Sequence, residues 1–129
     1  MNFTTKKYDN YSLVTITTDK LDALLSPELK ADFVLINKEG VKNILLDLSK
    51  VKYCDSSGLS ALLIGNRVCK ESKGSFIVCG IQPMVEKLLK ISQLDSIITT
   101  TPTLPEAIDF LFMEELERDL GSADFDDEL

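Results

Sequence analysis

The sequence NILLDLSKVKYCDSSGL, residues 43–59, decides the fold. Its first part, Asn43–Leu48, is a nearly continuous apolar run of strand length, which is typical of a central strand covered by other elements. Its last part, Asp55-Ser56-Ser57-Gly58, offers residues that satisfy free backbone N–H groups at the start of a helix. A strand is therefore predicted to lead into a helix. The residues alone fit either a purely structural N-cap or, in addition, a serine hydroxyl exposed at this corner.

The segments on either side alternate between strand and helix patterns. Two strand-like runs, Phe3–Tyr8 and Tyr11–Thr17, precede a helix predicted from Ser26, as N-cap, to about Lys38. The later elements are a helix at 57–72, a strand at 76–79, a helix at 83–92, a strand at 97–99 and a helix after Thr103. Strands that alternate with helices require crossover connections. The sequence therefore predicts one α/β domain with a mixed, mostly parallel sheet of about five strands and about four helices.

The predicted second helix has a face of small residues. On a helical wheel this face holds Gly58, Ala61, Gly65 and Cys69. Small side chains let a helix approach a sheet closely, so we expect this face to be buried. Leu63 and Ile64 lie to either side of it, and part of this wider apolar arc is expected at the surface near the serines.

The net charge of −7 belongs to the end of the chain. Residues 114–129 contain eight acids and one base, Arg118, which leaves 13 of the 21 acids against 13 of the 14 bases in residues 1–113. We therefore expect a neutral domain over 1–113 and an acidic extension over 114–129, with a solvated tail after Gly121. A neutral body with an acidic extension offers no basic surface to phosphate backbones, so direct nucleic-acid binding is not expected.

Several classes of site are disfavoured by what the sequence lacks. It has no histidine, which excludes Ser-His-Asp and Cys-His catalysis and histidine-based metal sites. Neither a Gly-rich phosphate loop nor a Ser-x-x-Lys spacing accompanies the serine motif, so no enzyme, metal or cofactor is expected. Apolar runs reach only four residues, as in Ala61–Ile64, and the N-terminus lacks the apolar stretch of a signal peptide. We expect a cytoplasmic protein without membrane insertion.

The three cysteines are spaced as packing residues rather than as a redox or metal motif. Cys54, Cys69 and Cys79 are an odd number and form no Cys-x-x-Cys pair. We therefore predict reduced, buried thiols, as in cytosolic proteins. An oxidation-sensitive role for Cys54, which lies beside the serines, is the alternative.

The stretch Asp55-Ser56-Ser57-Gly58-Leu59, after the Ile44–Leu48 strand, resembles the signature of the STAS domain of bacterial anti-sigma factor antagonists. Three further segments resemble that family at the matching places: Leu21-Asp22-Ala23 with Ser26-Pro27-Glu28-Leu29 before the first helix, Phe76–Gly80 with its Pro-started helix, and Leu88–Leu94. The chain departs from the family at Cys54, where a plain aliphatic residue or Met is usual, and at Ser60, where glycine is frequent. The resemblance implies a single STAS domain over residues 1–113.

The resemblance also implies a phosphorylation switch at Ser56. In the family, the matching serine is phosphorylated by a partner that is both anti-sigma factor and serine/threonine kinase. The unphosphorylated protein binds this kinase and releases its sigma factor, and a serine/threonine phosphatase of the metal-dependent type restores that form. The residues implied to contact the partner are Asp22, Asp55, Ser57, Gly58 and Leu59.

Alternatives remain open for single residues and for the function. Asp22 also fits a solvated loop acid, and Ser57 fits a structural cap hydroxyl better than a second phosphorylation site. The alternative function is a STAS subunit that regulates a membrane transporter complex and is never phosphorylated. The presence of both serines favours the phosphorylated antagonist.

Overall fold

A computed structural model describes the backbone of residues 2–128 and the side chains of residues 2–121. The predicted solvated tail after Gly121 therefore lies outside the described side chains. Along the chain the elements are β1 (Phe3–Lys7), β2 (Ser12–Ile16), β3 (Lys20–Leu21), α1 (Ser26–Lys38), β4 (Ile44–Asp47), β5 (Tyr53–Cys54), α2 (Ser56–Glu71), β6 (Phe76–Cys79), α3 (Pro83–Ile91), β7 (Thr99–Thr101) and α4 (Leu104–Glu128). A single 3-10 turn, Leu94–Ser96, separates α3 from β7.

Five strands form the main sheet in the order β1-β2-β4-β6-β7. The β1–β2 pair is antiparallel, and the other three pairs are parallel. This arrangement confirms the predicted mixed, mostly parallel sheet with four helices. The last strand begins two residues later than predicted, because the N–H groups of Ile97 and Ile98 donate to the carbonyl oxygen of Leu94 and close the 3-10 turn.

The two faces of the sheet are covered unequally. Helices α1, α2 and α3 pack on one face, around buried strand residues such as Ile44 and Leu46. The alternate strand residues, such as Leu45 and Ile77, point to the other face, where α4 covers them with Leu111. All three cysteines are buried and free, as predicted.

The predicted acidic extension begins inside α4. Two residues after residue 113, the Glu115 carboxylate accepts hydrogen bonds from the side-chain amides of Asn10 (2.8 Å) and Asn43 (2.9 Å). One turn later, Arg118 Nη1 donates to Ser75 Oγ over 2.9 Å. The start of the extension is thus joined to the loops that precede β2, β4 and β6.

Candidate functional site

Two very short strands bring the loop after β2 to the loop before α2. Strand β3 pairs in parallel with β5, which sets Leu21 opposite Cys54. The Asp55 N–H then donates to the Leu21 carbonyl oxygen over 3.3 Å. Asp22 directly follows β3 and Asp55 directly follows β5, so this pairing places the two acids at the same end of a common ladder. Sequence reasoning missed β3 and β5, because two residues are too few to show a period.

The start of α2 is held by a side-chain cap. Asp55 has extended backbone angles (φ −112°, ψ −173°), and its carboxylate accepts the Gly58 N–H over 3.0 Å. Ser56 is the first residue of the helix, and its side chain is exposed. Its hydroxyl makes no hydrogen bond with any residue that the structure describes. Ser57 is half-buried beside it. The predicted corner therefore presents the Ser56 hydroxyl, both exposed and free, at a helix N-terminus.

Gly58 lets α2 approach the β3 segment closely. A Cβ atom on Gly58 would lie 2.5 Å from the Leu21 carbonyl oxygen and 2.6 Å from Cys54 Sγ. Leu59 is also buried, with 8% of its surface exposed. Both residues therefore act at this site through packing, which fixes where Ser56 stands. Two turns along, Gly65 packs in the same way against the ring of Phe76, so the predicted small-residue face of α2 is buried.

Asp22 organises the turn before α1. Its Oδ1 accepts the N–H groups of Leu24 (3.1 Å) and Leu25 (3.4 Å), and its carbonyl oxygen accepts the Ser26 hydroxyl (2.8 Å). The predicted N-cap role of Ser26 is wrong: Leu25 is the N-cap, and Ser26 is the buried first helical residue. The Ser26 hydroxyl donates to the Asp22 carbonyl oxygen one turn earlier and therefore does not cap the helix. The Asp22 carboxylate instead accepts the free N–H groups of this turn, those of Leu24 and Leu25.

An apolar surface lies between the two acids. Leu24 is 86% exposed and Tyr53 is 43% exposed. Together with Asp22 and Asp55 they line a shallow depression of about 450 Å³, which also includes Lys20 and Ala23. The sequence predicted an exposed apolar arc at Leu63 and Ile64. In the structure both residues are half-buried. Sequence reasoning missed Leu24 and Tyr53 because their exposure depends on the β3–β5 pairing.

The Cys54 thiol, which lies beside this corner, is in an environment that lowers its reactivity. Burial, with a smaller contribution from the negative charge of Asp55, raises the pKa of Cys54 to about 12. Cys54 as a whole is only 3% exposed. Since the thiolate is the reactive form of cysteine, these features favour packing over the oxidation-sensitive alternative.

Other kinds of site find little support in the part of the chain that the structure describes. Within it, no group of three or more His, Cys, Asp or Glu residues could hold a metal ion. Among the described helices, none has the length and apolar character needed to cross a membrane. A wider depression of about 910 Å³ lies at the other end of α2, between Lys70 and Lys73 and helix α4.

Comparison with known proteins agrees with the order of these elements. The model of the STAS domain family matches residues 2–107. The chain belongs to the STAS domain family. Like the antagonists in this family, it is a regulatory binding protein rather than an enzyme. Among its relatives, BtrV of Bordetella bronchiseptica, described as an anti-sigma factor antagonist, is 26% identical over 94 residues, which are 64% of this chain and 81% of BtrV.

Solved STAS structures have the same fold. An anti-sigma factor antagonist of Thermotoga maritima superposes with a TM-score of 0.73 at 25% identity, over 84% of this chain and 93% of that one. The Bacillus cell fate determinant SpoIIAA, in its phosphorylated form, superposes with a TM-score of 0.66 at 21% identity, over 83% of this chain and 96% of SpoIIAA. The second likeness concerns the fold alone.

Proposed function

We propose that the protein is an anti-sigma factor antagonist of the cytoplasm whose binding is switched by phosphorylation of Ser56. The unphosphorylated form binds an anti-sigma factor that is also a serine/threonine kinase, and a metal-dependent serine/threonine phosphatase reverses the modification. The observation that carries this proposal is the free, exposed hydroxyl of Ser56 at the first position of α2. The named function of relatives such as BtrV supports the same role.

The position of Ser56 determines how a phosphate would act. A helix N-terminus favours negative charge, because its free N–H groups and dipole point towards the added group. A phosphate of about −1.5 to −2 charge therefore leaves α2 folded. Its effect falls on the partner, since a surface fitted to a neutral hydroxyl would have to bury an added charge next to Asp55, which lines one depression with Asp22.

The surface around Ser56 suggests how the partner is recognised. Leu24 and Tyr53 supply exposed apolar area, and Asp22, Asp55 and Ser57 supply polar contacts around it. Gly58 and Leu59 contribute by holding α2 against β3. Such a surface fits a partner with an apolar pocket for Leu24 and with hydrogen-bond donors for the two carboxylates.

The test measures binding of Ser56 variants to the anti-sigma kinase from the same cells. We expect Ser56→Asp to weaken binding by at least about tenfold, while the free energy of unfolding changes by less than about 1 kcal/mol. Ser56→Ala should bind the kinase but accept no phosphate. Ser96→Asp is the matched control, because it adds the same charge at an exposed serine of the 3-10 turn. Equal binding by Ser56→Asp and the native protein would contradict the switch.

A second measurement follows Ser56 in the native host. Intact-mass analysis with peptide mapping should find a phosphate on Ser56 whose occupancy differs between growing and starved cells. The phosphatase is inhibited during lysis, so that a fully active phosphatase does not hide the modification. A Ser56 that stays unmodified under both conditions would favour a constitutive or transporter-associated STAS role.

A further inference from the structure

Helix α4 has a second apolar face opposite the one that covers the sheet. Leu111 is 1% exposed against the sheet, whereas Phe112, Met113, Leu116 and Leu120 are 57%, 56%, 51% and 49% exposed. At about 100° per residue, these four residues fall within roughly 100° of helix surface, about 150° away from Leu111. We refer to the four as the α4 stripe.

The α4 stripe is more than a scatter of exposed apolar residues. Single exposed apolar side chains are ordinary on protein surfaces. Here four large ones follow one another along nine residues of one helix, and each keeps about half of its surface in contact with solvent. The packing of the domain does not explain them, because the sheet is covered by the other side of α4 through Ala107 and Leu111. A continuous exposed apolar surface of this kind is typical of an interaction site.

The charges around the α4 stripe indicate which occupant fits. On the helical wheel, Asp119 and Glu117 flank the stripe on either side, and both are exposed. Away from the stripe they line a depression that also holds Lys42, Lys70 and Lys73, but neither acid forms a salt bridge with a described residue, so both carboxylates are available to a partner. The one base of the segment, Arg118, lies on the other side of the helix, where it donates to Ser75 Oγ. At the stripe itself, a second copy of the chain would set these acids against the same acids of its partner, and the two carboxylates would repel anionic lipid headgroups. Charge complementarity favours a cationic occupant.

We propose that the α4 stripe docks a cationic amphipathic helix of a partner protein. The apolar side of that helix would lie on Phe112, Met113, Leu116 and Leu120, and its lysines or arginines would face Glu117 and Asp119. This surface does not rest on the proposed switch, since α4 covers the sheet face opposite to α1 and α2. Occupation of the α4 stripe thus leaves the Ser56 surface open to its own partner.

The test uses the full chain and a synthetic helical peptide of about 18 residues built from Leu, Lys and Ala. The peptide carries its leucines along one face with lysines on both borders, and calorimetry measures its binding. Leu116→Gln/Leu120→Gln removes half of the α4 stripe, and Leu35→Gln is the matched control at a 53% exposed leucine of α1. Glu117→Gln/Asp119→Asn removes the flanking charges, and Glu28→Gln/Glu71→Gln removes two exposed acids outside α4.

We expect the leucine variant to bind at least about tenfold more weakly than the native chain, with Leu35→Gln unchanged. The flanking-charge variant should bind at least about threefold more weakly than its control, and a peptide with the same composition but scattered leucines should lose binding. Circular dichroism verifies that each variant keeps its helix content and melting temperature.

Three results would overturn the proposal. The first is an equal loss of binding in both charge variants, which would mean that only net charge matters. The second is a native dimer in light scattering that Leu116→Gln/Leu120→Gln disperses, which would assign the α4 stripe to a second copy. The third is sedimentation with phosphatidylglycerol vesicles that the same variant abolishes, which would assign it to lipid.

Discussion

Replacement of Gly58 by alanine tests the close contact on which the position of Ser56 depends. The new Cβ would lie 2.5 Å from the Leu21 carbonyl oxygen and 2.6 Å from Cys54 Sγ, so one of these neighbours has to move. The Leu21 carbonyl also accepts the Asp55 N–H, which means that its displacement weakens the link between β3 and the start of α2. We therefore expect a loss of stability and a shift of the Ser56 corner together.

The magnitude follows from three contributions. Overpacking in a close contact costs about 1–3 kcal/mol, and loss of the Asp55–Leu21 hydrogen bond adds about 1 kcal/mol. Alanine returns up to about 1 kcal/mol through its better helix propensity. The net loss in the free energy of unfolding is about 2 kcal/mol, which lowers the melting temperature by about 6–10 °C for a chain of this size.

Urea denaturation and thermal melting of Gly58→Ala measure this loss. Ser60→Ala is the matched control, because it makes a small change two residues further along the same helix and should stay within about 0.5 kcal/mol of the native chain. Hydrogen exchange at the Asp55 amide adds a local readout, which should become faster in Gly58→Ala. A Gly58→Ala protein as stable as the native one would refute the close contact.

Two further substitutions and one titration test other contacts of the structure. Asp55→Ala should lower the free energy of unfolding by about 1 kcal/mol in urea because the Gly58 N–H loses its acceptor, whereas Asp55→Asn should keep the cap; equal losses would contradict this role. Asn43→Ala should cost about 1–3 kcal/mol by calorimetry, since it leaves the buried Ser75 N–H without its acceptor, and an unchanged melting temperature would count against that bond. The pKa of Cys54 is raised from 9.0 to about 12, so the stability from its neutral thiol is present below pH 9.0 and is lost as the pH rises towards about 12. Iodoacetamide should accordingly label Cys54 far more slowly in the native than in the unfolded chain, and equal rates would disprove this burial.

The sequence predicted those features that depend on local patterns. The apolar run at Ile44–Leu48 and the polar corner at Asp55-Ser56-Ser57-Gly58 each act within a few residues, so the central strand and the start of α2 could be placed from sequence. The small-residue face of α2 could also be predicted from the sequence, because residues on one face of a helix recur with a fixed period. These features supplied most of the fold and the position of Ser56.

The remaining features depend on contacts between distant segments. The meeting of Asp22 with the Asp55 corner requires the β3–β5 pair, which is too short to show a pattern in sequence. The start of α1 was misplaced because Ser26 had a competing partner in the Asp22 carbonyl. Likewise, the charge pattern of the extension gave no sign that Glu115 would bond to two asparagines in other loops.

The coverage of one sheet face by α4 alone has a consequence for synthesis of the chain. Translation proceeds from the N-terminus, so the ribosome makes every strand of the sheet before it makes α4. Until that helix emerges, the side of the sheet with Leu45, Ile77 and Cys79 has no cover. A nascent chain halted before residue 104 would display this apolar surface to chaperones and proteases, so quality control can distinguish chains with α4 from chains without it.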